Sequence, residues 1–218
     1  MSKSVLISVN PKWCELIASG IKTVDVRKTR PKLETPFKCY IYCTTSKSKE
    51  ERLILQPFGY KLGGIESSLT YRANGKVIGE FVCDKAERIM ADGTCHPQFG
   101  YGGTRYNFGH LEDAQLSEQE LYDYLGEPVI LTDDPCYKKM EFSGYAWHIS
   151  DLKIYDKPRE LSEFRTFCKS YYDGDKCDDC KYFIDGRGYE YDESDCSCDG
   201  LKPIERPPHS WFFVEGEK

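Results

Sequence analysis

The sequence predicts a mixed α+β fold built mainly from strands, with short helices at its periphery. Period-two alternation, which is typical of a strand, recurs in residues 24–27, 37–44 and 144–155. Apolar residues at helical spacing occur in short runs, over residues 11–18 and 116–126. A chain of 218 residues is long enough to bury a core, as one domain with an appendage or as two small domains.

The first two elements are a buried strand and a short helix. Residues 5–9 form a continuous apolar run, which is consistent with a strand buried on both faces. Pro11 suits the first position of the helix over residues 11–18. Gly20 lies just past the last helical residue, where glycine commonly ends a helix.

A polar motif follows this helix directly. From residue 23 the period is two, so Val24 and Val26 face one way while Asp25 and Arg27 face the other. Lys22 lies at the start of the strand. A lysine, a carboxylate and an arginine therefore come together on one polar face beside a helix end.

The middle of the chain is less regular. Residues 45–75 show no strong period and are predicted to be an insertion, in which residues 49–55 fit a short helix. Residues 76–89 are predicted to be one long strand with a bend or bulge at Gly79.

A second helix is well marked by its caps. Ser117 is the predicted N-cap, Glu120 completes a capping box and Gly126 ends the helix. Before it, residues 92–110 are rich in glycine and aromatic residues. This segment is predicted to be either a loop that stacks on bases or a loop whose aromatic side chains pack under the body. The strand over residues 144–155 follows.

The motif around Lys22 resembles that of the ASCH domain, a small β-barrel related to the PUA domain of RNA-modifying proteins. Gly20, Lys22 and Arg27 match the family pattern, and Asp25 stands where glutamate is usual. Residues 145–152 resemble the closing strand of the family. The resemblance implies a PUA-like ASCH barrel with peripheral helices over residues 1–160, interrupted by the insertion.

The same resemblance implies that the chain binds RNA, single-stranded nucleic acid or a modified nucleoside in a Lys/Asp/Arg cleft. The predicted ligand-binding residues are those of the motif and nearby polar side chains: Lys12, Lys22, Asp25, Arg27, Arg30 and His148. The alternative is a surface ion-pair ladder, which would contribute only ~0–1 kcal/mol. Proteins with this N-terminal pattern and a cysteine tail also resemble phage and prophage products.

A hydrolase is the alternative function within the family, which includes an N4-acetylcytidine amidohydrolase and reported ribonucleases. Its amidohydrolase chemistry is attributed to a lysine, a threonine and a glutamate. Lys22 falls on the lysine, and Asp25 falls where the enzyme has its threonine nucleophile. Glu112, or Asp113 beside it, is nearest to the glutamate. An aspartate cannot act as a hydroxyl nucleophile, so that mechanism does not transfer unchanged.

The C-terminal part, residues 161–218, is predicted to be a cysteine-rich extension that packs back on the barrel. Two cysteine pairs have the spacing of a tetrahedral structural zinc site: Cys177, Cys180, Cys196 and Cys198. Cys168 is a possible substitute ligand. An iron–sulfur cluster and a disordered acidic tail are the alternatives. A third functional hypothesis makes this acidic tail the docking surface for a protein partner.

Charge and apolar patterning limit the other functional classes. Residues 1–50 carry ten Lys and Arg against four acidic residues, whereas residues 173–199 carry ten acidic residues against three basic ones. The net charge of −6 argues against broad, non-specific nucleic-acid binding. No apolar run approaches membrane-spanning length and no signal peptide is evident, so we expect a cytoplasmic protein without membrane contact.

Four cysteines in apolar patterns are predicted to be free, buried thiols: Cys14, Cys39, Cys43 and Cys83.

Overall fold

The computed structural model describes residues 3–95, 104–132, 134, 137–167 and 201–216. In chain order its elements are β1 (Lys3–Val9), α1 (Pro11–Ala18), β2 (Val24–Arg27), β3 (Phe37–Cys43), β4 (Leu53–Gln56), β5 (Gly59–Leu62), β6 (Tyr71–Arg72), β7 (Lys76–Cys83), β8 (Ala86–Cys95), β9 (Thr104–Phe108), α2 (Leu111–Ala114), α3 (Glu118–Leu125), β10 (Val129–Ile130), β11 (Tyr137–His148), β12 (Ser150–Glu160), a 3-10 turn (Leu161–Glu163), β13 (Arg165–Phe167), β14 (Leu201–Pro203) and β15 (Trp211–Glu215). The predicted strand-rich α+β class is confirmed. None of the helices in the described ranges has the length and apolarity that a membrane crossing requires.

The strands form three sheets. The largest has the order β12-β7-β3-β1-β15-β13-β14, and the second has the order β10-β11-β8-β9 with β2 also paired to β11. A small third sheet has the order β5-β4-β6. β1 runs parallel to β3 and antiparallel to β15, so the N-terminal strand lies inside the largest sheet. Its apolar residues are buried on both faces, as the continuous apolar run predicts.

The sheets do not close into the predicted barrel within the described part of the chain. β7 lies in the first sheet and β8 in the second, and only residues 84–85 separate them. β11 and β12 likewise belong to different sheets on either side of Ile149. The long strand predicted over residues 76–89 is therefore two strands, because the chain leaves one sheet at this corner and enters the other.

The helix predicted over residues 49–55 is wrong, since Leu53 begins β4. The reason is a long-range hydrogen bond that sequence periodicity does not reveal. The Asn74 side-chain oxygen accepts a hydrogen bond from the Leu53 backbone N–H at 2.8 Å, and its amide nitrogen donates to the Glu51 carbonyl at 3.0 Å. This side chain holds the start of β4 extended. Residues 45–75 thus contain the third sheet, which contacts α1.

The main core lies between the largest sheet and α1. It includes the four predicted free thiols, all of which are buried: Cys14, Cys39, Cys43 and Cys83. Burial raises the pKa of Cys83 to about 12, so this thiol stays neutral at physiological pH. Trp147 lies in the same core and is fully buried.

Gly79→Ala is expected to lower the free energy of unfolding by ~1–3 kcal/mol, the usual cost of overpacking a filled site. Gly79 pairs with Ile154 of β12, and an added Cβ would lie 2.5 Å from the Lys153 carbonyl oxygen. The predicted bulge is confirmed here, because the β3–β7 register shifts directly after the Ile41–Gly79 pair. Urea unfolding measures the effect. Gly109→Ala is the control, since its Cβ would find no atom nearer than 3.7 Å; equal losses in the two variants would contradict the prediction.

Candidate functional site

The polar motif is positioned by the end of α1. Gly20 has a left-handed backbone, with φ of +74°, which turns the chain out of the helix. The backbone N–H groups of Ile21 and Lys22 then both donate to the Leu16 carbonyl at 3.0 Å. The next N–H, that of Thr23, donates to the Asp113 carbonyl at 2.9 Å. Lys22 is thereby fixed between α1 and α2, just before β2 begins.

The Lys22 side chain is buried, with 3% of its surface exposed. Its Nζ donates to the Ala114 carbonyl at 2.5 Å and lies 4.9 Å from the Trp13 ring centroid. Burial lowers the pKa of Lys22 to about 8, because the ammonium loses hydration; the Asp25 carboxylate opposes this shift. The amine therefore titrates close to physiological pH.

Asp25 and Arg27 form a buried ion pair. Arg27 Nε donates to Asp25 Oδ2 at 2.6 Å, and the two side chains are only 7% and 8% exposed. Arg27 Nη1 donates to the Ser210 carbonyl at 3.0 Å and Nη2 donates to the Ser8 carbonyl at 2.9 Å. The alternative of a surface ion-pair ladder is therefore wrong. All three guanidinium nitrogens already donate to the protein, so Arg27 holds β2, β1 and the C-terminal segment together.

Lys22, Asp25 and Arg27 line a cavity of about 490 Å³, which we call the Lys22 cavity. Its other walls come from the end of β1, α1, α3 and the segment before β15: Ser8, Val9, Asn10, Trp13, Val26, Leu116, Glu120, Asp123, Tyr124, His209 and Ser210. Residues up to 202 positions apart thus meet at one site. The volume lies within the ~300–1,000 Å³ range that is typical of small-molecule sites.

The remaining basic residues predicted for the site lie outside its lining. Lys12 is beside the cavity: its Nζ is 3.4 Å from the Glu120 carboxylate and 4.2 Å from the Trp13 ring centroid. Arg30 is exposed and donates to the carbonyls of Ala86 and Leu33, at 3.4 and 3.2 Å. The structure therefore brings Lys12 close to the motif and separates Arg30 from it.

Glu112 and His148 are also outside the cavity. Glu112 is exposed on α2, whereas the carboxylates that line the cavity are those of Asp25, Glu120 and Asp123. His148 lies at the end of β11, where its imidazole meets Glu87 instead. The position of Glu112 in the sequence suggests that it lies near Lys22. It does not show that the Glu112 side chain is on the exposed face of α2.

Several lining residues are missed by sequence reasoning. Trp13 could have been inferred from its position in the helix before the motif, and Glu120 lies in the capping box that was identified. Tyr124 follows Glu120 by four residues, and so shares its face of α3. His209 and Ser210 carry no such signal, because they reach the cavity only through the pairing of β15 with β1.

The proposed cysteine ligands, Cys177, Cys180, Cys196 and Cys198, lie outside the described residues.

Comparison with known proteins returns two solved structures. The crystal structure of ASCH from Zymomonas mobilis has a TM-score of 0.39 and 19% identity, over 72% of this chain and 73% of that chain. A single-residue mutant of the same protein gives the same TM-score and identity, over 73% of this chain and 77% of that chain. Both are ASCH structures.

No family model matches the chain, and no curated protein matches it. At this identity and TM-score the ASCH structures say nothing about the ligand.

Proposed function

We propose that this is an ASCH-domain protein whose Lys22 cavity binds a modified nucleoside or its base, without a phosphate. In this proposal residues 1–160 form the ASCH domain, with an insertion at residues 45–75. Residues 161–218 form an extension, and His209 and Ser210 near its end complete the cavity wall.

The charge balance of the cavity is the observation that carries the proposal. Its lining holds two cations, Lys22 and Arg27, against three carboxylates, those of Asp25, Glu120 and Asp123. Arg27 is already engaged by the protein, so Lys22 is the cation that remains for a ligand within the lining. A phosphate would meet more negative than positive charge there, whereas a neutral base would meet hydrogen-bonding groups of both kinds.

The cavity walls suit a flat, polar ring. Trp13 and Tyr124 supply aromatic surface for stacking, which contributes ~1–3 kcal/mol per base in nucleic-acid complexes. The Lys22 ammonium can donate to a carbonyl or ring nitrogen of a base, and the carboxylates can accept from its amino group. Burial raises the pKa of Tyr124, so its hydroxyl stays protonated and remains available as a donor.

The test is calorimetric titration of the 218-residue chain with cytidine, N4-acetylcytidine, methylated cytidines and the matching 5′-monophosphates. We expect at least one nucleoside to bind and its monophosphate to bind more weakly. Lys22→Met is expected to weaken the nucleoside ~10–100-fold, because a hydrogen bond from a charged group contributes ~1.5–3 kcal/mol. Lys32→Met is the matched control, since Lys32 is exposed and lies outside the cavity lining.

Tighter binding of the monophosphate, or of short RNA with a steep salt dependence, would replace this proposal with RNA binding. Absence of binding by every nucleoside in the panel would remove the cavity as the working site.

Hydrolysis of an acylated nucleoside is the second candidate, and the lowered pKa of Lys22 favours it. With a pKa of about 8, roughly a tenth of the Lys22 side chains are neutral at pH 7, so the amine can accept a proton from an attacking water. Mass spectrometry of the same nucleoside mixtures detects this reaction. Deacetylation that is lost in Lys22→Met supports it, and intact N4-acetylcytidine after prolonged incubation excludes it for this substrate.

We further propose that Cys177, Cys180, Cys196 and Cys198 bind a structural zinc ion. The support is the thiolate donor set and its spacing in the sequence, because a closed four-thiolate site is typical of structural zinc. We also propose that a protein partner docks on the acidic residues around these cysteines. The support is again the sequence, in which residues 173–199 carry ten acidic residues against three basic ones.

A further inference from the structure

Three potential metal ligands meet beside α2, on residues that are far apart in the sequence. Glu87 lies on β8, His148 ends β11, and His110 directly precedes α2. Glu87 Oε1 is 2.9 Å from His110 Nε2 and 3.3 Å from His148 Nε2. One possible ligand atom from each side chain lies within 4.8 Å of the other two. We call these three residues the histidine cluster; the rest of the described chain holds no second group of this kind.

Backbone pairing fixes two members of the cluster. β8 and β11 are antiparallel neighbours, and Glu87 is paired with Ala146, two residues before His148. The His148 backbone N–H donates to the Lys85 carbonyl at 2.9 Å, which anchors the end of β11. The carboxylate of Glu87 and the imidazole of His148 are therefore presented by adjacent strands.

His110 reaches the cluster through an unusual backbone conformation. Its φ is +71°, in the left-handed region, and it makes no side-chain hydrogen bond that caps α2. Its ring packs edge-on against His148, with the centroids 5.0 Å apart and the planes at 87°. The side chain is thus directed to Glu87 and His148 rather than to the helix that it precedes.

The distances in the cluster also allow a single metal ion to take the place of its hydrogen bonds. Zinc binds imidazole nitrogen at about 2.0–2.1 Å and carboxylate oxygen at about 2.0–2.2 Å, so ligand atoms around one tetrahedral ion lie about 3.3–3.5 Å apart. The 3.3 Å separation to His148 has this value, and the 2.9 Å separation to His110 is the shorter distance of a hydrogen bond. Lys85 Nζ lies 2.6 Å from Glu87 Oε2, which leaves Oε1 as the oxygen directed to both imidazoles.

The cluster is also accessible. The side chains of Glu87, His110 and His148 are 32%, 24% and 26% exposed, so an ion can enter and keep water as a further ligand. Three protein ligands with one open position are typical of zinc sites that bind or activate water, and imidazole is a preferred ligand for zinc and its neighbours in the transition series.

We propose that Glu87, His110 and His148 bind a divalent transition-metal ion, with zinc as the best fit and at least one coordination position left to water. This site is distinct from the Lys22 cavity, because none of the three residues lines that cavity. It is also distinct from the proposed cysteine site, whose ligands are thiolates.

The metal site and Lys22 lie at opposite ends of α2. His110 precedes the helix, and Ala114, whose carbonyl accepts the Lys22 hydrogen bond, is its last residue. Four helical residues span only about 6 Å. An ion bound to His110 would fix the first end of α2. It would thereby also restrain the Ala114 carbonyl at the other end, which accepts the Lys22 hydrogen bond.

The decisive experiment follows imidazole nitrogen signals by NMR while zinc is added to the unmutated 218-residue chain. We expect the signals of His110 and His148 to change together and to saturate, while the signal of His209 stays constant. Because the chain is unmutated, a failure to fold cannot imitate the result. Constant signals from His110 and His148 at millimolar zinc would overturn the proposal.

Metal content by mass spectrometry provides the second test. The double variant His110→Gln/His148→Gln is expected to lose one equivalent of zinc relative to wild type, and Glu87→Gln is expected to bind it at least ~10-fold more weakly. His209→Gln is the control and is expected to keep the wild-type content. All these variants keep every cysteine, so any zinc bound by cysteines contributes equally to each measured zinc content and does not affect the differences between them. Equal zinc content and affinity in wild type and the double variant would refute the site.

Discussion

Arg27→Met is expected to lower the free energy of unfolding by ~3–5 kcal/mol, the typical cost of removing one partner from a buried ion pair. The Asp25 carboxylate would remain buried without its 2.6 Å partner. The carbonyls of Ser8 and Ser210 would also lose their hydrogen bonds from the guanidinium. The cost is large relative to the ~5–15 kcal/mol of a typical domain. Urea unfolding followed by circular dichroism measures it.

Two further variants separate the ion pair from the rest of the loss. Lys32→Met removes an exposed charge and is expected to change stability by no more than ~0.5 kcal/mol. Asp25→Asn/Arg27→Met removes both charges, and its loss is expected to be smaller than the sum of the two single losses. A loss in Arg27→Met as small as that in Lys32→Met would mean that the buried pair does not hold these segments together.

The stability of the wild-type chain relative to Lys22→Met is expected to rise by about 3 kcal/mol between pH 7 and pH 10.5. Lys22 has a pKa of about 8 in the folded chain, against an ordinary value of 10.5. Between these two values the unfolded chain binds one more proton than the folded chain, so unfolding becomes less favourable as the pH rises. Each unit of the pKa difference contributes about 1.4 kcal/mol. Below pH 8 both states hold the proton, and the difference between the two chains is constant.

Urea unfolding of both chains at half-unit pH intervals tests this expectation. Subtracting the Lys22→Met curve cancels the titration of groups that the two chains share. The lost hydrogen bond to the Ala114 carbonyl shifts the whole difference by a constant but does not change its slope with pH. A flat difference from pH 7 to pH 10.5 would show that Lys22 keeps an ordinary pKa in the folded chain.

Local signals in the sequence predict most of the elements that carry the site. The helix cap at Ser117, with its capping box to Glu120, and the ends of α1 at Pro11 and Gly20 are all found in the structure. Each of these helix ends is determined by residues within one turn of the helix, so it can be predicted from the local sequence. The alternation after residue 23 also holds: Val24 and Val26 pack in an apolar core while Asp25 and Arg27 pair with each other.

Long-range contacts determine the features of the fold and of the site that local sequence signals do not predict. Residues 49–55 have a helical pattern, yet Asn74 holds Leu53 extended from 21 positions away. Arg27 was predicted to face a ligand, but the Ser210 carbonyl lies 183 positions further along the chain and engages it. The histidine cluster was missed for the same reason: Glu87 and His148 are 61 positions apart, and neither belongs to a spaced motif.

The position of β15 constrains when the Lys22 cavity can form during synthesis. β1 is translated about 200 residues before β15, yet one of its two neighbours in the sheet is formed by residues 211–215. The Ser8 side chain also donates to the Pro208 carbonyl, 200 positions away. Contacts of this separation close late, because a long loop must lose its entropy first. A nascent chain can build its first helix and the β1–β3 pair early, but it gains the wall formed by His209 and Ser210 only after those residues have been translated. The Lys22 cavity is therefore complete only after residues 209 and 210 have left the ribosome.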